Sequence, residues 1–269
     1  MQFALVNEER CPPAPKLVGQ CVGCGQEMIA KCGDLKIWHW AHKGKRKCDP
    51  WWEPETAWHR EWKEQFPAGW REVVQWAASG EKHIADMRND GGLVVEFQHS
   101  AITPQERMER EAFYPNLVWV VDGTRLKYDI PRFDKANSDL RGALRPGYFM
   151  THWPCEHFPK PWSECSKPVF FDFGGHDDDP DMMTKLGARG SLWCLMPGRV
   201  DGNAVVAKVS RTQIVEAAHQ LATAFPPHAI LEEIAQHIMN RREAEQRAEL
   251  ERSRRYRIYN ANRYRSRRF

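Results

Sequence analysis

The chain reads as an α/β protein with a small cysteine-rich module in front and a helical, arginine-rich end. Three observations predict this. Five of the eight cysteines, Cys11, Cys21, Cys24, Cys32 and Cys48, crowd the first fifty residues. Helical and strand-like periodicities then alternate from Glu55 to Gly123. The stretch Arg241 to Phe269 holds about eleven Arg and four Glu, roughly +7, leaving about −4 elsewhere by difference from the net charge of +3.

The first segment, residues 1–50, is too short for a large apolar core and needs a staple. The start MQFALVNEERCPPAPK has no basic, apolar and cleavage regions in series, and no long uncharged apolar run follows. A cytoplasmic protein with no membrane partner is expected. In that setting a close cysteine pair followed by histidines suggests a metal rather than disulfides. Cys21-x2-Cys24, in QCVGCGQ, has glycines that let both thiolates face one cation, and His39-x2-His42 follows in WHWAHK. Two thiolates and two imidazoles make a closed, structural zinc set. Cys11, Cys32 and Cys48 could each replace one histidine.

Residues 51–130 carry the main α/β signal. ETAWHREWKEQ, from Glu55 to Gln65, sets Trp58 and Trp62 at i, i+4 on a helix that Pro67 and Gly69 end. HIADMR, the turn NDGG and LVVEFQHS read as a hairpin. ITPQERMEREAFY is a helix with Thr103 as N-cap and Pro104 at its first position, and LVWVVDG is a buried strand. Eight of the twelve tryptophans fall between the zinc ligands and the hairpin, where packing between small modules explains them better than stacking on unpaired bases.

From about Asp129 to Pro168 no period is evident and a linker or irregular insertion is expected; KPVFFDFGG, SLWCLMPG and NAVVAKVS then read as three strands. Residues 131–211 are thus an accessory α/β extension, in the same sheet or in a second small domain. Asp177, Asp178, Asp179 and Asp181 lack the spacing of a calcium loop and read as a solvated acidic run. Residues 212–269 form two helical stretches broken at Pro226-Pro227, the second basic, with Arg254 and Arg255 as candidate phosphate contacts and with room for a protein partner.

The chemistry concentrates in the hairpin. Asp86 lies near the end of the first strand, and Glu96 and Gln98 alternate on the second, so they share a face. Carboxylates among Ile84, Val94, Val95 and Phe97 are costly unless a cation offsets them. Glu55, His59 and Lys63 repeat at i, i+4, i+8 and could present a further carboxylate and two phosphate- or water-contacting groups. Hard oxygen donors favour Mg²⁺ or Mn²⁺, and the set suits phosphodiester hydrolysis. Gln98 cannot be a general base and would orient water or a phosphate oxygen.

Read in order, CVGC, KCGDLKIWHWAH, ETAWHREWK, IADM, EFQHS, the helix with Arg107 and Arg110 before Tyr114, and VWVV resemble the competence protein CoiA-like family of the PD-(D/E)XK nuclease superfamily. The resemblance covers about the first half of the chain. It implies a zinc-ribbon-like element followed by a restriction-endonuclease-like core, with Asp86, Glu96 and Gln98 at the D and ExQ positions and Glu55, His59 and Lys63 at the helix motif. His83 stands where an arginine is common, and Gln98 stands where the superfamily usually has lysine. His83, Arg107, Arg110, Arg254 and Arg255 are the expected nucleic-acid contacts. The expected activity is metal-dependent hydrolysis of DNA, single-stranded, duplex or branched, in uptake, recombination or defence. The alternative is an inactive nucleic-acid-binding adaptor.

Overall fold

The computed structural model describes residues 1–44, 48–175 and 187–265, with side chains through residue 260; the acidic run at Asp177, Asp178, Asp179 and Asp181 lies outside them. No helix among these residues is long and apolar enough to cross a membrane.

Five short strands open the chain: β1 (Ala4–Val6), β2 (Glu9–Cys11), β3 (Val18–Gln20), β4 (Glu27–Lys31) and β5 (His39–His42). They pair antiparallel in the order β2-β1-β3-β4-β5. Their buried apolar core is only Ala4, Cys21, Met28 and Trp40. So little burial cannot offset the ordering of forty residues, which is why this module leans on its neighbour.

The larger unit begins with α1 (Ala57–Glu64), where Thr56 caps the helix and His59 returns the bond, so that the imidazole takes the place of the usual glutamate in the capping box. Next come β6 (Arg71–Trp76), β7 (Lys82–Arg88), β8 (Val94–Gln98), α2 (Pro104–Phe113) and β9 (Leu117–Asp122). The Thr103 cap and Pro104 sit where the sequence places them. Strand β6 is absent from the expectation because Glu72, at φ +47, breaks the alternation of REVVQW; its register partner position is skipped between Arg71 and Val73.

No linker follows. The stretch expected to be irregular forms α3 (Asp129–Ala136), β10 (Arg141–Gly142), β11 (Tyr148–Thr151) and α4 (Pro154–His157). These pieces have no periodicity because two fully buried rings anchor them, Phe133 against Trp193 and Phe158 against Phe171. β12 (Val169–Asp172), β13 (Leu192–Leu195), β14 (Ala204–Val209), α5 (Arg211–His219) and α6 (Ala229–Arg265) complete the chain. The late strands join the first sheet, giving one nine-stranded sheet in the order β10-β11-β14-β13-β12-β9-β8-β7-β6. Only β8–β9 and β9–β12 are parallel. Of these, β9 and β12 are buried at every position and apolar up to their terminal Asp122 and Asp172 rather than alternating.

One apolar layer, with Trp62, Phe66, Ile214, Ile230 and Ile234, packs α1, α5 and the start of α6 on one face; the other, with Tyr114, Phe133 and Phe158, packs α2, α3 and α4. α1 is pinned through Asp172 at the end of β12, which accepts the indole N–H groups of Trp58 (3.0 Å) and Trp62 (2.9 Å) and pairs with Arg211. From residue 241 to 259, α6 is exposed at every position, supported by i, i+4 pairs such as Arg241–Glu245 and Arg247–Glu243.

The β7–β8 turn is held against α5 by Asn89, whose amide donates to the carbonyls of Ala218 (2.9 Å) and Ala222 (3.1 Å). A Cβ on Gly91 would lie 2.2 Å from the Leu221 carbonyl oxygen, a backbone atom that cannot move aside. Gly91→Ala is therefore expected to cost about 1–3 kcal/mol, as overpacking does. An unchanged urea midpoint would refute this account of the turn.

Candidate metal centre and carboxylate cleft

Among the described residues one set of metal-ligating side chains converges: Cys21, Cys24, His42 and Cys48, with all ligand atoms within 4.8 Å of one another. Cys21 Sγ is 3.7 Å from Cys48 Sγ, and Cys24 Sγ is 3.3 Å from His42 Nε2. Gly25, at φ +74, closes the Cys21–Cys24 loop by donating to the Cys21 carbonyl at 2.9 Å. Burial, then the charge of Cys21, pushes the Cys48 thiol up to about 12, so the cluster resists ionisation until a cation is supplied. Three thiolates and an imidazole form a closed set that fits zinc in a structural role.

His39 is corrected by strand geometry. Residues three apart on β5 face opposite sides, so His42 joins the thiols with Trp40 packed beside it, while His39 points away and its Nδ1 donates to the Ile37 carbonyl at 2.9 Å. Cys48, one of the three substitutes the sequence allows, takes the vacated position.

The carboxylates meet where two strands part. β7 pairs with β8 only at Met87–Val95 and Arg88–Val94; beyond these, β7 continues along β6 and β8 along β9. At the next step side chains replace the ladder. The Asp86 N–H donates to Glu96 Oε1 (3.1 Å) and the Phe97 N–H to Asp86 Oδ2 (3.1 Å). Lys63, buried on α1, lies 2.7 Å from Asp86 Oδ1, 3.7 Å from Glu55 and 3.8 Å from Glu72. Burial opposes its charge, but the three carboxylates hold its pKa above the ordinary value. Arg110 approaches Glu96 Oε2 at 3.0 Å. Burial and then the Asp86 charge still push Glu96 well above the usual carboxylate range.

Asp86 and Glu96 thus come together, and Glu55 lines the same cleft, linked to Asp86 through Lys63. It lies just ahead of α1 and is engaged by Arg60 (2.8 Å), Lys63 and Gln2 (2.9 Å). Gln98 is one step further along β8 and faces Glu53. His59 is buried, its Nε2 shared between Glu53 Oε1 (2.9 Å) and the Phe97 carbonyl (2.8 Å).

A cleft of about 360 Å³ runs from His42 and Cys48 to Asp86, Glu96 and Lys63, so the metal module walls the carboxylate site. The connection is covalent and short. Asp49, next to Cys48, accepts from Ile84 N (2.8 Å) and contacts His83 Nδ1 (2.9 Å), and the Trp51 carbonyl accepts from Arg110. Glu72 takes the N–H groups of Gln2 (2.8 Å) and Phe3 (3.2 Å). Asp49, Glu53 and Glu72 escape sequence reading because they lie outside any periodic pattern; proximity to Cys48 and to the His59 helix is the one signal they carry.

Three expected nucleic-acid contacts are corrected by burial. His83 is stacked under Trp51 with ring centroids 3.2 Å apart. Arg107 pairs with Glu111 and donates to Cys165, and Arg110 is occupied by Glu96, Glu106 and Trp51. Each lies on an element face turned to the core, where a charge is tolerated only when paired. Arg254 and Arg255 are exposed on α6.

Purified protein should hold one zinc ion per chain; Cys48→Ser should release it and His39→Ala should not, read by metal analysis. Retention in Cys48→Ser with loss in His39→Ala would reverse the assignment. Glu53 supplies a pH test. Burial opposes its charge, but His59 and Ser100 hold it from its ordinary 4.5 down to about 2. A depressed carboxylate stabilises above its unfolded value and loses that contribution as pH falls from about 4.5 toward 2, here at most about 3 kcal/mol. Glu53→Gln should flatten, and Glu55 (also held to about 2) should preserve part of, the acid slope of urea stability; identical slopes would exclude the Glu53 contribution.

No curated protein and no solved structure matches the chain. Residues 20–50, which include all four converging ligands, match the model of the competence protein CoiA N-terminal domain, so this element is similar to that domain.

Proposed function

We propose that the protein is a divalent-metal-dependent nuclease acting on DNA through a PD-(D/E)XK-type core. The observation that carries this reading is the strand fork, which sets Asp86 and Glu96 side by side at a cleft with Lys63 against Asp86. The element order from α1 through β6, β7, β8, α2 and β9 supports it, as does the resemblance across those elements.

The donor set fits a hard cation. Mg²⁺ commonly rests on one or two carboxylates and completes its shell with water and substrate phosphate, and Asp86 and Glu96 offer such a pair at the cleft. Asp86 and Glu96 would hold the ion, which when bound supplies Lewis-acid stabilisation of the charge that builds on phosphorus oxygens. The chain's own residues do the rest. Lys63 stays protonated, so it cannot be a base; it orients Asp86 and adds fixed positive charge beside the phosphate, compensating for Gln98 where the superfamily usually has lysine. Arg110 balances Glu96, and the exposed Arg254 and Arg255 add a basic surface for the backbone.

One observation favours the adaptor reading: Glu96 is 4% exposed and already ion-paired. The test is cleavage of single-stranded, duplex and branched DNA with Mg²⁺, Mn²⁺ or neither. Cutting that needs the ion and falls at least about a hundredfold in Glu96→Ala, with Lys63→Met similarly impaired, is expected. Tight binding without cutting on every substrate would establish the adaptor instead.

A further inference from the structure

The segment between Pro50 and Pro54 has no regular secondary structure and crosses the end of β8 as a strap. Its Glu53 carboxylate is 16% exposed and is met by four polar groups. Oε1 accepts from His59 Nε2 (2.9 Å) and the His99 N–H (3.2 Å); Oε2 accepts from the Ser100 N–H (2.9 Å) and, at 3.4 Å, from the Gln98 amide. The His59 Nε2 must carry a proton, since its other neighbour, the Phe97 carbonyl, can only accept. Two successive backbone N–H groups with an imidazole and an amide, all donating to one point, make an anion cradle of the kind that holds phosphate oxygens.

We propose that this cradle is a phosphate subsite, and that the Glu53 carboxylate occupies it as a stand-in that the backbone phosphate of a nucleic acid displaces. The strap is then a plug. Both residues that contribute side chains, His59 and Gln98, lie within two positions of the carboxylate fork or on the helix that carries Lys63, so a phosphate in the cradle neighbours the one at Asp86 and Glu96. The His99 and Ser100 N–H groups are met by Glu53, while the two side-chain donors also reach carbonyls, His59 Nε2 that of Phe97 (2.8 Å) and the Gln98 amide that of Ser100 (3.1 Å). Burial opposes the charge of Glu53 and the donors still win, so the cradle prefers an anion.

The proposal rests on the reading that this cleft takes nucleic acid, but its test requires no cleavage. Binding of inorganic phosphate, and separately of a short oligothymidylate, is measured by calorimetry on the full zinc-loaded chain without added Mg²⁺. Glu53→Ala empties the cradle and is expected to bind both ligands about tenfold more tightly than wild type, since each freed donor gains a partner. Adding Gln98→Ala to that variant should remove part of the gain. Zinc content and cooperative unfolding confirm that the variants are folded; if Glu53→Ala fails these, Glu53→Asp, whose shorter arm cannot reach both oxygens' partners, carries the test with a smaller gain of the same sign. A folded variant with unchanged affinity for phosphate overturns the subsite. A gain for inorganic phosphate alone overturns the assignment to nucleic acid. A gain for both without any cleavage by wild type would leave the subsite standing and remove only the nuclease reading.

Discussion

Two antiparallel strands that part company leave backbone donors unpaired, and at the β7–β8 fork those donors are met by the carboxylates of Asp86 and Glu96. Everything around the site follows from that constraint. A carboxylate used to finish a sheet is necessarily buried or nearly so, and a buried negative charge calls for a cation. Lys63 answers Asp86 and Arg110 answers Glu96, one from each face of the sheet. Removing either partner would strand a charge, at a cost of about 3–5 kcal/mol. The positions of α1 and α2 are therefore tied to the chemistry as well as to the core.

The second consequence concerns the N-terminal module. With four buried apolar residues it has little independent stability, and its bonds to the larger sheet are polar and directional: Glu72 to Gln2 and Phe3, Arg10 to the carbonyls of Ala68 and Arg71, Lys82 to the Gly23 carbonyl. Gly23 packs so closely on Ile84 that a Cβ would approach to 2.8 Å. The cysteine cluster is thus part of the cleft wall. Through Cys48 and Asp49 it also sets where the strap begins. A metal held by the cluster would brace the strap and the cleft together, because they share one short run of backbone.

The tryptophans serve this arrangement as packing and as hydrogen-bond donors. Trp58 and Trp62 suspend α1 from Asp172, and Trp51 covers His83 and gives its carbonyl to Arg110. An indole joins a large apolar surface to one N–H, which suits a helix that must be held at a fixed height over a sheet. Lys63 reaches the fork because α1 is held in this way.

Periodicity and turn chemistry in the sequence determined much by themselves. They gave α1 within two residues, the β7–β8 hairpin about its Asn-Asp-Gly-Gly turn, α2 with its Thr103 cap, the buried strands β9 and β12 to β14, the helix break at Pro226-Pro227, and the pairing of Asp86 with Glu96. All of these depend on contacts a few residues apart, or on a side-chain period that local residues set. The tertiary structure decided the rest. Phe133 and Phe158 order a stretch with no period of its own, Cys48 rather than His39 completes the metal set because strand alternation turns one of two histidines away, and Arg107, Arg110 and His83 are drawn inside by partners from distant segments. Glu53 and Glu72 owe their roles wholly to where the chain brings them. Long-range ion pairs and burial leave no periodic trace along the chain, so they become visible only when the fold has placed both partners.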